Sequence, residues 1–96
     1  MDEYQFEWDA AKSESNFEKH GVSFEGAVRV FDDLFACERL DLESEPGEIR
    51  NVITGIVNGL VLTVVYTERG ERLRIISARK ATNHEQKEYH RSQTAE

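Results

Sequence analysis

The sequence predicts a single α+β domain, an antiparallel β-sheet of three to four main strands flanked by two N-terminal helices and one C-terminal helix. Three observations predict it. Two helix-capping signals follow one another in the first third of the chain, β-branched runs joined by Asn58-Gly59 dominate after residue 49, and a capping box returns at Thr82. With 96 residues and 39% hydrophobic content there is material for one modest core and no second, so residues 1–96 form one domain.

Phe6 and Trp8 give a short apolar start. Asp9 then stands where a carboxylate accepts the free amide hydrogens of a first helical turn, capping "AAKSESNFEKH". Gly21 stops that helix. Val22 precedes a second cap, Ser23, and closes against Ala27 as a hydrophobic staple, so that Phe24, Ala27, Val28 and Phe31 share one face of a second helix. Gly26 inside it costs about 1 kcal/mol relative to alanine, which predicts a close approach to its backbone. Asp32 and Asp33 mark the stop, because negative charge is unfavourable at a helix C-terminus. Residues 34 to 48 carry a short strand signal around "FACERLDL" and then an acidic loop, "ESEPGE", with the only proline.

From Ile49 the pattern is β. A two-residue Asn58-Gly59 turn pairs Val57 with Leu60 and, counting back, Arg50 with Thr67. Ile53, Val57, Leu60, Leu62, Val64 and Tyr66 then fall on a core face, and Arg50, Val52, Thr54, Thr63, Val65 and Thr67 on the other. If "ERGE" closes as a two- or four-residue loop, Thr67 pairs with Arg72 and Val65 with Arg74. The second face then gathers Arg50, Arg72 and Arg74 at one end. Guanidinium groups among threonine hydroxyls make an anion-binding surface, since each matches phosphate oxygens in a two-pronged fashion. The plainer reading pairs these arginines with Glu48, Glu68 and Glu71, and both stand. In the same register Arg79 follows Leu73, Ile75 and Ser77 along the core face, where it either anchors the next loop or points into a cleft. "TNHE" opens the last, polar helix, which includes Tyr89.

The net charge of −7 is unevenly spread: residues 1–48 hold 14 acids and 4 bases, residues 49–96 hold 5 acids and 8 bases. One side suits a basic partner and the other something anionic. The longest apolar run, "GLVLTVVY", is far below the roughly 20 residues that span a bilayer, and the opening "MDEYQFEWD" is acidic where a secretory start is basic. A cytoplasmic protein without membrane contact is expected. Cys37 is the only cysteine, which excludes an internal disulfide and a thiolate metal cluster. His84 and His90 are six apart on the last helix and do not share metal-binding spacing, and there is no H-E-x-x-H, phosphate loop or G-x-S-x-G. No metal and no cofactor are expected.

Lys19 and His20 admit two readings. Cations favour a helix C-terminus, and glycine is the residue for a left-handed stop, so the pair needs no function at all. Histidine is also the side chain that takes and gives a proton near neutral pH, with lysine beside it as a phosphate clamp.

Three stretches in order, "FEWDAAKSESNFEKHGVSFEGAVRVFDD", "GEIRNVITG" and "VVYTERGERLRIISARKAT" followed by Glu85 and Tyr89, resemble the BrnT family of toxins across nearly the whole chain. The resemblance implies a bacterial type II toxin with a RelE-like fold that cleaves RNA without metal or cofactor and inhibits translation. Its implied partner is a BrnA-like antitoxin with a ribbon-helix-helix DNA-binding part, so that DNA is met only through the antitoxin. The matching positions are Lys19 and His20 of K-H-G, Arg50 of G-E-x-R and Arg79 of S-A-R as catalytic residues. Arg72 and Arg74, with Thr67 between strands, are the RNA-binding set. His20 is the expected acid or base, and Lys19, Arg50 and Arg79 stabilise charge on the phosphate. The alternative is a non-catalytic module of the same fold that only binds an antitoxin-like DNA-binding partner.

Overall fold

A computed structural model of the chain describes residues 4–94. Strand β1 (Gln5–Glu7) leads to α1 (Ala10–His20), then α2 (Phe24–Ala27), which tightens into a 3₁₀ turn over Val28–Asp32. Strands β2 (Cys37–Leu40), β3 (Asn51–Val57), β4 (Leu60–Arg69) and β5 (Arg72–Lys80) follow, and α3 (Asn83–Thr94) closes the order. The α+β class is as expected, but the sheet has five strands in the order β1-β5-β4-β3-β2 and is mixed, because β1 joins β5 in parallel. Phe6 explains the added strand: it packs on Phe31 at 5.1 Å between ring centroids, and Phe31 meets Tyr66 edge-on at 5.0 Å.

The caps work as the sequence implies. Asp9 accepts the Lys12 amide at 3.1 Å, and Gly21 takes a left-handed φ of 71° while its amide donates to the Phe17 carbonyl. Ser23 accepts from Gly26 at 3.0 Å, and a Cβ on Gly26 would stand 3.1 Å from that same hydroxyl. The close approach expected at Gly26 is the cap itself. The second helix is shorter than its apolar spacing suggests, a single α turn before the 3₁₀ segment.

The β3–β4 hairpin has the expected register, with Val57 opposite Leu60 and Ile53 opposite Val64. The next turn does not. Gly70 takes the first central position with φ 61°, so Arg69 pairs with Arg72 and Thr67 with Arg74 rather than with Arg72. A slip of two leaves every side chain on its predicted face. A β-bulge then changes the faces: Tyr66 pairs with Ile75 and Val65 with Ser77, leaving Ile76 as the extra residue. Beyond it Ala78 turns to the core, and Arg79 turns out of it, opposite Thr63. The expectation that Arg79 follows the core face is therefore corrected.

The core lies between one sheet face and the α2 region, with Phe24, Val30, Val64 and Ile75 fully or almost fully buried, each contributing about 1.5–3 kcal/mol. Asn16 of α1 is buried too. Its amide donates to the carbonyls of Ala78 at 2.8 Å and Val22 at 2.9 Å and accepts from the Ala78 amide at 3.2 Å, taking the place of a strand partner along β5 beyond β1. No helix among the described residues is long and apolar enough to cross a membrane.

Candidate functional site

The sheet face opposite the core carries the polar side chains. Its first row runs across four strands: Cys37 of β2, Thr54 of β3, Thr63 of β4 and Arg79 of β5 are successive cross-strand partners. The Thr54 and Thr63 hydroxyls bond at 2.9 Å. Helix α3 starts directly over this row because Thr82 and Glu85 form the expected capping box, with the Thr82 amide on Glu85 at 2.9 Å and the Glu85 amide on the Thr82 hydroxyl at 3.1 Å.

The same carboxylate does far more than cap. Arg79 holds it with both terminal nitrogens, at 2.7 and 3.0 Å; Thr63 donates at 2.9 Å and Arg39 at 3.4 Å. Only 11% of the Glu85 side chain remains exposed. Burial alone would raise its pKa, but the Arg79 guanidinium, the Thr82 amide and the Thr63 hydroxyl together hold it down at about 2. The bond to Glu85 raises Arg79 in turn. Two guanidinium groups, a hydroxyl and a helix N-terminal amide converging on two oxygens are the donors a phosphate would also use. Beside them lies a cleft of about 550 Å³ whose lining includes Cys37, Thr54, His84 and Glu88.

At the other end of this face the arginines meet separate acids. Thr67 donates to the Ile49 carbonyl at 2.8 Å and stands opposite Arg74. Arg74 pairs with Glu7 at 3.0 Å and Arg72 with the same carboxylate at 3.7 Å. Arg50 lies 3.7 Å from Asp41 and donates to the Glu43 carbonyl at 3.1 Å, while its Nε is buried without a hydrogen-bond partner among the described residues. These arginines do meet acids, but Glu7 and Asp41 supply them; of Glu48, Glu68 and Glu71, Glu48 pairs with Arg69 instead, at 3.5 Å. Two strand spacings and four residues of rise separate Arg50 from Arg79 by about 16 Å along the sheet. The two guanidinium groups face different carboxylates, Asp41 and Glu85.

Lys19 and His20 occupy the last turn of α1, Lys19 exposed and His20 half-buried. Three and four residues on from Asn16, both lie toward its side of the helix, His20 turned further inward than Lys19. Asn16 of the same helix bonds the Val22 carbonyl just past that turn and the backbone of Ala78, the residue before Arg79, whereas Arg50, Arg72 and Arg74 lie toward the other end of the sheet.

Three participants escape a reading by motif. Glu85 is visible as a cap but not as the partner of the sheet, Arg39 lies in the least legible stretch, and Asn16 is one polar residue among many in α1. Asp33 is more than a helix stop: it accepts the Phe35 amide at 2.9 Å, the Ile56 amide at 2.8 Å and the buried Tyr89 hydroxyl, clamping α3 to β3. Burial pushes its pKa up, and the Tyr89 hydroxyl and two amides more than reverse this, leaving it lowered. Tyr89, buried against that charge, is pushed up to about 12. Among the described residues no group of three or more His, Cys, Asp or Glu is arranged around a metal position.

No curated protein gives a significant match. A family model described as "Ribonuclease toxin, BrnT, of type II toxin-antitoxin system" matches residues 8–85, a span that runs from Trp8 through K-H-G and S-A-R to Glu85. The chain thus belongs to the BrnT family of ribonuclease toxins from type II toxin–antitoxin systems.

Proposed function

We propose that this protein is an RNA endonuclease that works without metal in the cytoplasm, inhibits translation, and is neutralised by a BrnA-like antitoxin with a ribbon-helix-helix part. In this chemistry the RNA 2′-hydroxyl attacks the adjacent phosphorus, its proton passes to a base, and the departing 5′-oxygen takes a proton from an acid. A 2′,3′-cyclic phosphate and a 5′-hydroxyl result. His20 is the acid or the base of this exchange. Lys19 and Arg79 stabilise the charge that builds on the phosphate, and Arg50, Arg72, Arg74 and Thr67 hold neighbouring nucleotides.

The observation that carries the reading is the bulge that turns Arg79 onto the polar face, on a strand whose preceding residue anchors the helix of Lys19 and His20. Substrate phosphate competes with Glu85 for that guanidinium, which makes cutting sensitive to salt. Chelator-treated protein is expected to cut labelled single-stranded RNA at low salt into products ending in cyclic phosphate, with His20→Ala slower by roughly 10²- to 10⁴-fold.

One observation favours a second reading. Arg50, Arg74 and Arg79 each already face a carboxylate, as in a module that only binds its antitoxin and tunes DNA binding. Intact RNA in every lane, with and without ribosomes, and with antitoxin binding retained, would establish that module and end the nuclease reading.

A further inference from the structure

Strand β2 is one of the two edge strands of the sheet. The Asp41 amide still bonds the Arg50 carbonyl, so antiparallel alternation turns the backbone groups of Glu38 and Leu40 outward, toward solvent. Charge from Glu38, Arg39 and Asp41 marks this edge as charge marks most natural ones, but Leu40 on it is 59% exposed and Leu42, in the turn that follows, 94%. Leu40 also forms part of a groove of about 410 Å³ with Tyr4, Phe31 and Leu73 as apolar lining and Glu38 and Glu68 as carboxylates. Residues 38–48 hold five acids and one base.

We infer that this edge is a docking surface for an extended, basic, amphipathic segment of a partner protein, which adds a strand to β2, seats apolar residues on Leu40 and Leu42 and sets its cations against the acidic rim. The form follows from the open backbone, because strand addition supplies main-chain bonds and alternate side chains supply selectivity. The sign follows from the rim. An RNA strand would be repelled there, and a second copy would bring the same acids face to face. The inference rests on the toxin–antitoxin reading only in expecting that partner to be the antitoxin; surface and cutting face are otherwise separate.

The probe is a fluorescent ten-residue peptide of alternating arginine and valine, titrated by polarisation against the full chain, with an alternating glutamate–valine peptide as control. The basic peptide is expected to saturate the wild type, to weaken by at least about tenfold on Leu40→Lys/Leu42→Lys, and to outcompete the acidic one. Both leucines are exposed, so circular dichroism of that variant should match the wild type. Equal binding by the double variant, or by the acidic peptide, would overturn the inference, as would a wild-type dimer in solution that the variant dissolves. RNA cutting is measured on the same samples. A double variant that cuts normally without holding the peptide supports docking, and a wild type that holds the peptide without cutting defeats only the nuclease reading.

Discussion

The two ends of the polar sheet face use the same residue types to different effect. At the α3 end, Arg79, Arg39, Thr63 and the Thr82 amide converge on one nearly enclosed carboxylate. At the other end, Arg72 and Arg74 share Glu7, and Arg50 leans on Asp41 at 3.7 Å, with each carboxylate about a quarter exposed. Convergence of four donors on one nearly buried carboxylate distinguishes the first cluster, whereas the second is a set of separate pairs with fewer donors per acid.

The largest stability effect should come from the enclosed end. Glu85→Ala removes the cap and leaves Arg79, Thr63 and the Thr82 amide without their acceptor, which is expected to cost about 2–3 kcal/mol in urea unfolding. Glu85→Gln, which keeps the capping geometry, should cost less. The difference also has a pH signature. The folded Glu85 pKa of about 2 lies below its ordinary 4.5. Its contribution is complete above pH 4.5 and is lost as pH falls toward 2, so the wild-type urea midpoint should drop across that window more than that of Glu85→Gln. At the other end, Arg74→Ala should change stability by no more than about 1 kcal/mol, and high salt should erase most of the difference.

How much of this was legible follows from where the information lies. Helix caps and the Asn58-Gly59 hairpin are local, fixed by a few side chains and by which residues tolerate positive φ, and they came out in register. The "ERGE" register missed by two because either centring of the turn is sterically allowed. The bulge at Ile76 leaves no mark in composition, yet it moved Arg79 from the core face to the polar one. Glu85 could be read as a cap because that bond spans three residues; its bonds to Arg39 and Thr63 span 46 and 22 and depend on the assembled sheet. Lys19 and His20 still fit a plain helix stop, and Asn16, which ties them to β5, gives no signal beyond being polar.

The most direct test is single-turnover RNA cleavage by Arg79→Ala and Arg74→Ala, side by side at low salt. If the enclosed end does the chemistry, Arg79→Ala lowers the cleavage rate at saturating enzyme by roughly 10²-fold or more, while Arg74→Ala weakens RNA binding and leaves that rate unchanged. Equal losses of rate in the two variants, or an Arg79→Ala protein that cuts like the wild type, would contradict the division of the face into a reacting end and a binding end.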